Sequence, residues 1–140
     1  MKTIRTLDGL VEKSSITTKL RAVEERYSIA VTPSMQQNLD HTAISKQFLP
    51  QENELIQLSD ELDDPISDED FSPKKGLTHR YADRVLLKPS HQCAVYCRFC
   101  FRREKVGEGS ETLNDDELLQ AIDYIKSDEN IWEVILTGGD

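Results

Sequence analysis

Apolar residues in the first third of the chain recur at helical rather than strand spacing. Leu20, Val23 and Tyr27 mark one face of a helix, and Ser14, Ser15 or Thr17 is placed to cap it. Pro33 suits the first turn of a further short helix, Ser34 to Leu39. Residues 1–50 are therefore expected to form a helical region. The pattern breaks over residues 51–78, which are acidic, contain Asp64-Pro65 and Ser72-Pro73, and read as an extended linker. From residue 79 the texture is that of an α/β unit. Arg84-Val85-Leu86-Leu87-Lys88 is a short β-rich run stopped by Pro89, and a polar loop from Ser90 to Thr112 follows. Asn114 can cap a helix with Glu117 reaching back to it, Leu113 and Leu118 stand at the positions of a hydrophobic staple, and Leu118, Leu119, Ile122 and Ile125 supply its buried stripe. A second strand, Ile131 to Thr137, leads into Gly138-Gly139-Asp140. Strand, loop, helix and strand make a right-handed βαβ unit with two parallel strands.

Parallel strands need cover on both faces and neighbours alongside. The 140 residues offer no further elements to supply them, and the chain stops in a Gly-Gly turn at the carboxyl end of a buried strand. It is therefore expected to be a fragment of a longer α/β protein. The rival is a small α+β domain whose two strands lie under the N-terminal helices.

Composition narrows the class. The chain is 37% hydrophobic and 31% charged, with a net charge of -9, near the polar edge of globular composition. No apolar run approaches the ~20 residues of a membrane span, and Met1 to Lys13 holds no signal-peptide core, so a cytoplasmic protein without a membrane partner is expected. Overall acidity argues against nucleic acid as partner. The charge is uneven, however. Residues 74–105 carry nine basic residues (Lys74, Lys75, Arg80, Arg84, Lys88, Arg98, Arg102, Arg103, Lys105) against Asp83 and Glu104, while nothing basic lies between Lys46 and Lys74.

All three cysteines fall inside this positive island, as Cys93-x-x-x-Cys97-x-x-Cys100. Three thiolates within eight residues can wrap one soft metal centre. Zinc in a closed structural site requires a fourth ligand, for which His91 is the nearest candidate. A 4Fe-4S cluster held by three cysteines keeps one iron open to a chelating cofactor. Both chemistries remain open on spacing alone.

The segment Cys93-Ala94-Val95-Tyr96-Cys97-Arg98-Phe99-Cys100 resembles the signature loop of radical S-adenosylmethionine enzymes, with an aromatic residue just before the third cysteine. The surrounding Gly76-Leu77-Thr78-His79-Arg80-Tyr81-Ala82-Asp83-Arg84-Val85-Leu86-Leu87-Lys88, the following Phe101-Arg102-Arg103, and Leu136-Thr137-Gly138-Gly139-Asp140 are similar to the lysine 2,3-aminomutase family. About half of the chain carries the likeness strongly, and Asp64-Pro65-Ile66 and Ser72-Pro73 extend it.

The resemblance implies a fold, an activity and a set of sites. The fold would be a helical N-terminal region (1–50) and an acidic linker (51–78), then the first βαβ unit of an incomplete TIM-like barrel (79–140). The activity would be the 1,2-amino shift converting L-lysine to L-β-lysine, an isomerase reaction of the complete enzyme for which the isolated chain is not sufficient. Cys93, Cys97 and Cys100 would hold the 4Fe-4S cluster; Phe99, Gly138, Gly139 and Asp140 would contact S-adenosylmethionine; Arg80, Tyr81 and Arg84 would bind the phosphate of pyridoxal 5'-phosphate; Arg102 would pair with the substrate carboxylate. The family's pyridoxal-anchoring lysine lies in a later part of the protein. Implied partners are a small amino-acid substrate, an electron donor such as flavodoxin or ferredoxin, and either a second copy or a complementing C-terminal chain. Rival expectations are another amino-acid 2,3-aminomutase such as one for glutamate, the homologue that makes β-lysine for a translation factor, and a non-catalytic zinc module closed by His91. His79 and His91 are expected to be structural hydrogen-bonding residues, and Arg103 and Lys105 plain surface charge.

Overall fold

The computed structural model describes residues 2–62, 64–107 and 111–139. They form helices and one three-stranded sheet, a mixed α/β arrangement. The chain divides into two compact units, one of residues Met1–Leu62 and Cys93–Glu108, the other of residues Asp63–Gln92 and Gly109–Asp140.

The first unit contains α1 (Leu7–Leu10), α2 (Thr18–Arg26), α3 (Pro33–Gln36) and α4 (Thr42–Phe48), with 3-10 turns at Lys13–Ser15 and Glu52–Leu55. Of the three expected caps Thr17 is the one used, its hydroxyl accepting from the Leu20 N–H at 3.1 Å. Pro33 opens α3 as expected, but the helix stops at Gln36, short of Leu39. The Asn38 side-chain amide turns back to the Ser34 carbonyl at 2.8 Å and competes with the helical ladder. Leu7, Ile29, Val31 and Phe48 form the core, and Val95 of the cysteine loop packs against it with Leu20, Met35 and Ile44.

The second unit is built on β1 (Leu77–Tyr81), β2 (Arg84–Ser90), α5 (Asp115–Ser127) and β3 (Glu133–Gly138). β2 lies between an antiparallel β1 and a parallel β3. The parallel pair joined by a helix is the arrangement read from the sequence; β1 is an addition to it. Its turn, Ala82-Asp83, lacks the Asn-Gly or Asp-Gly signal of a two-residue hairpin, and Leu77 fell in the presumed linker. Nor does Pro89 stop the strand. It lies inside β2, beyond the last paired residue of β1 and where the pairing with β3 shifts register, so its missing N–H disrupts no regular ladder.

α5 carries the expected capping box: Asn114 Oδ1 accepts from the Glu117 N–H at 2.9 Å, and Glu117 Oε2 from the Asn114 N–H at 3.0 Å. Its inward stripe is Leu118, Ala121, Tyr124 and Ile125, packed with Leu113 and Ile131 on Leu77, Val85 and Leu87. Leu119 is 57% exposed, turned about 100° from Leu118 around the helix. Ala121, fully buried at the centre, lets the helix axis approach the sheet closely.

Residues 64–76 are mostly exposed, but one of them is held in the fold. Asp68 is 6% exposed and pairs with Lys88 of β2 at 3.2 Å, while Lys88 Nζ also donates to Thr78 Oγ1 of β1 at 2.6 Å. The His79 N–H donates to the Phe71 carbonyl at 2.8 Å. His79 Nδ1 and the Tyr124 hydroxyl share a 2.8 Å hydrogen bond, which ties β1 to α5. β3, at the edge of the sheet, exposes Val134, Ile135 and Leu136, an unusual state for a parallel strand. Among the described residues no helix is long and apolar enough to cross a membrane.

Candidate functional site

In the helical unit the cysteine loop is laid down by two backbone hydrogen bonds. The Tyr96 N–H donates to the Ala30 carbonyl at 3.0 Å and the Arg98 N–H to the Gln47 carbonyl at 2.7 Å. Tyr96 and Arg98 are buried, at 6% and 7% exposure, while Cys97 and Phe99 face outward, as expected of an extended segment lying along a surface. A turn follows, in which the Cys100 N–H donates to the Cys97 carbonyl at 3.1 Å and the Arg103 N–H to the Cys100 carbonyl at 3.1 Å. Cys97 is exposed, Cys93 and Cys100 are half-buried, and all three are thiols.

Among the described residues no three His, Cys, Asp or Glu side chains are gathered into a metal cage. His91 is buried in the sheet unit, its backbone N–H donating to the Glu111 carbonyl at 3.0 Å. The donor chemistry, three thiols on one loop with an exposed aromatic among them, suits a soft iron centre. A metal bound there would have to draw the sulfurs together, as in other thiolate sites where binding and local folding are coupled.

The residue inside the motif that the sequence left without a role is Arg98. Its guanidinium is fully engaged: Nη2 donates to Glu54 Oε2 at 2.6 Å, Nε lies 3.2 Å from both Glu54 oxygens, and Nη1 donates to the Ser28 carbonyl at 3.1 Å. The two side chains are 5% and 10% exposed. Glu54 sits in the 3-10 turn Glu52–Leu55 and also accepts the Gln51 N–H at 2.8 Å. The Gln51-x-x-Glu54 spacing of a capping box was the available local signal for this turn.

Arg103 is not plain surface charge either. Its guanidinium lies 4.2 Å from the centre of the Tyr27 ring, and Nη1 is 3.9 Å from Glu54 Oε2. Burial raises the Tyr27 phenol above its ordinary pKa, opposed by the Arg103 charge. Phe99 is 76% exposed and Phe101 51%. Arg102, half-buried, stacks its guanidinium on Phe101 at 4.4 Å.

In the sheet unit the three residues expected to bind a phosphate share the end of the hairpin, where Tyr81 pairs with Arg84. Arg80 stacks on Phe71 at 4.7 Å and donates to the Ile66 carbonyl. Tyr81 is 63% exposed. Arg84 is bound by two carboxylates, Asp83 at 2.8 Å and Glu133 at 3.1 Å, and lies over Trp132 at 5.6 Å. The hydrogen bond from Arg84 holds the Asp83 carboxyl down to about 2, assisted by Trp132; Asp83, and secondarily Glu133, raise Arg84 in return. A phosphate at this place must displace carboxylates from Arg84, so the three residues form no ready cradle.

Gly138 and Gly139 lie at the opposite end of the same sheet. Arg84 pairs with Glu133 and Ser90 with Gly138, which separates the two groups by about 20 Å of strand. Gly138 has φ +114, and a Cβ on it would strike the Ser90 carbonyl oxygen; one on Gly139 would strike the Gln92 carbonyl. The Gly139 N–H donates to Ser90 O at 2.6 Å. Both glycines are thus required by the close passage of the β2 and β3 exits, at the carboxyl edge where α/β sheets bind ligands. Asp140 lies outside the described residues.

No protein-family model matches the chain. It is 36% identical, over its whole length, to an L-lysine 2,3-aminomutase of Methanococcus maripaludis, of which it covers 34%. It is 37% identical over 80% of its length to an L-lysine 2,3-aminomutase of Clostridium subterminale, covering 28% of that protein, and 38% identical over 61% of its length to a glutamate 2,3-aminomutase of Clostridioides difficile, covering 21%. The cysteine loop therefore stands in a chain whose relatives are amino-acid 2,3-aminomutases. The long matches are to the lysine enzymes, and the chain belongs to the lysine 2,3-aminomutase family. It spans about a third or less of the length of the curated relatives it matches.

Proposed function

We propose that this chain supplies the cluster-binding part of a radical S-adenosylmethionine aminomutase acting on L-lysine. The observation that carries the proposal is the three-cysteine loop, seated by Tyr96 and Arg98, in a chain 36% identical throughout to an L-lysine 2,3-aminomutase. When bound, the 4Fe-4S cluster, S-adenosylmethionine and pyridoxal 5'-phosphate supply one-electron radical chemistry and activation of the migrating amino group.

The chain's own residues hold and orient. Cys93, Cys97 and Cys100 are assigned as iron ligands, and the exposed Phe99 as an apolar surface beside them for S-adenosylmethionine. Gly138, Gly139 and Asp140 are assigned to the same cofactor, the glycines bringing bare backbone to the carboxyl edge of the sheet. Arg102, its guanidinium plane set by Phe101, is assigned to the substrate carboxylate. Arg80, Tyr81 and Arg84, which share the end of the hairpin, are assigned to the pyridoxal phosphate group, for which Arg84 must exchange its ion pairs with Asp83 and Glu133. Residues 79–140 would be the opening of a partial β/α barrel, supported by the exposed apolar positions of β3. The reading also assigns the protein to the cytoplasm, with flavodoxin or ferredoxin as electron donor and a second copy or a complementing C-terminal chain as partner. A glutamate substrate is the second reading, favoured by the 38% identity to a glutamate 2,3-aminomutase.

Anaerobic reconstitution with iron and sulfide tests the proposal. A brown protein with an electron paramagnetic resonance signal on reduction, shifted by S-adenosylmethionine, is expected. A colourless chain that takes up only zinc, with four ligands by X-ray absorption, would overturn it.

A further inference from the structure

We propose that Lys88 and Thr78 form, with Arg80, an oxyanion site in the sheet unit, suited to a phosphate monoester and held shut by residues 66–71. The proposal rests on the assignment of Arg80 to a phosphate group and extends it to two further residues. Alternation along β1 and β2 sorts their side chains between two faces. Leu77, Val85 and Leu87 go to the α5 side, as does His79, which meets Tyr124. Thr78, Arg80 and Lys88 go to the other side, where residues 66–71 lie against them. Lys88 and Thr78 are 7% and 3% exposed, and Lys88 Nζ donates to Thr78 Oγ1 at 2.6 Å. The Thr78 hydroxyl keeps its own proton to donate, so a buried ammonium, a hydroxyl and a guanidinium make a donor set for an oxyanion. The chain itself fills this seat. The Asp68 carboxylate lies 3.2 Å from Lys88 Nζ, and the Ile66 carbonyl accepts from Arg80, whose guanidinium also rests on Phe71 at 4.7 Å.

The covering segment is strained and lightly tied. Between its two anchors, Ile66 and Asp68, Ser67 has φ +52, a left-handed conformation that costs a serine free energy. In that conformation one carbonyl and one carboxylate reach two cations of the same face. Several of the segment's other bonds are local. The Ser67 N–H donates to the Asp64 carbonyl at 3.1 Å, the Glu69 N–H to the Asp64 carboxylate at 2.8 Å, and the Ser72 hydroxyl to the Asp68 carbonyl at 2.6 Å. Ile66 and Phe71 are 37% and 40% exposed, so little apolar surface holds the segment down. It can lift as one turn, exchanging the Asp68 carboxylate and the Ile66 carbonyl for the oxygens of a phosphate.

The test titrates pyridoxine 5'-phosphate, inorganic phosphate and pyridoxine into the 140-residue chain. Binding is read by calorimetry and opening by hydrogen exchange over residues 64–72. Both phosphate probes are expected to bind and to speed exchange there, and pyridoxine to do neither. Asp68→Asn removes the competing charge, and Ser67→Pro has a ring that cannot adopt positive φ. Each should bind the phosphate probes on the order of tenfold more tightly than wild type, because the closed fraction is lost. Ser67→Pro carries the test if Asp68→Asn does not fold. Ser67→Gly, which accepts the left-handed conformation without strain, should bind no more tightly than wild type. Asp68→Leu combined with Lys88→Met should show no gain, since the cation leaves with its competitor. Unchanged affinity in both opened variants, or a double variant as tight as Asp68→Asn, would overturn the proposal. Binding that Arg84→Met abolishes while residues 64–72 stay protected would also overturn it, and would leave the assignment of the phosphate to the hairpin standing. No phosphate binding by wild type or any variant would remove both.

Discussion

The buried pair Asp68–Lys88 gives the sheet unit a sharp energetic test. The two side chains are each 8% exposed and 3.2 Å apart, on a segment whose composition suggests a solvated linker. Replacing Asp68 by Asn removes the charge but leaves an amide oxygen, and Lys88 keeps its 2.6 Å bond to Thr78. Breaking one side of a buried pair costs about 3–5 kcal/mol, and the residual bonds place this change near the bottom of that range, about 3 kcal/mol. For a chain of this size that corresponds to a loss of about 10 °C in melting temperature. The double replacement Asp68→Leu with Lys88→Met, which leaves no charge behind, should recover most of the loss. Urea unfolding followed at Trp132, the single tryptophan and a residue of the sheet unit, measures both variants. A loss below about 1 kcal/mol for Asp68→Asn, the value of a surface pair, would refute the burial on which the estimate stands.

Other outcomes follow from the same contacts. Cys97→Ser should abolish cluster assembly, because two thiolates and a hydroxyl cannot hold three irons; unchanged iron per chain would contradict the ligand assignment. Asp83 is depressed from 3.8 to about 2, so the support it draws from Arg84 is complete above pH 3.8 and is lost only as pH falls through about 2. A carboxyl NMR titration should find that low midpoint and find it raised towards 3.8 in Arg84→Met; a midpoint near 3.8 in the wild type would show the pair unformed. Gly139→Ala forces a methyl group against the Gln92 carbonyl and should cost about 1–3 kcal/mol in unfolding free energy. A neutral result in calorimetry would mean that β3 does not leave the sheet along this path.

Local signals carried some of these elements and not others. α5 was legible because a cap at Asn114, an acidic return at Glu117 and apolar spacing coincide within a dozen residues. The extent of its stripe was misjudged because Ala121 counts little on hydrophobicity yet occupies the closest approach to the sheet, while Leu119 counts much and faces water. β1 was hidden by a turn without glycine or asparagine and by its neighbourhood of charge. The cysteine spacing was likewise a local signal, three thiols falling within eight residues. The buried pair of Glu54 and Arg98 was not, because the two lie 44 residues apart and a pair so separated leaves no period in the sequence.

The two glycines show how far a motif can be read before a structure is needed. In the sequence, Gly138-Gly139 before an acid suggests backbone bared for a ligand. In the fold, the space their missing side chains leave is already taken by the carbonyls of Ser90 and Gln92, so the end of β2 and the residues just after it demand glycine at both places. A ligand can use only what this packing leaves over, since the Gly139 N–H already donates to the Ser90 carbonyl. A loss of activity in Gly139→Ala therefore cannot assign the cofactor, because the strand exit would shift in the same variant. Only a binding readout that changes in proportion beyond the measured stability loss separates them: S-adenosylmethionine perturbing the reduced cluster's resonance in wild type and in a Gly139→Ala chain stabilised to equal folded fraction. Equal perturbation in the two would return these glycines to packing alone.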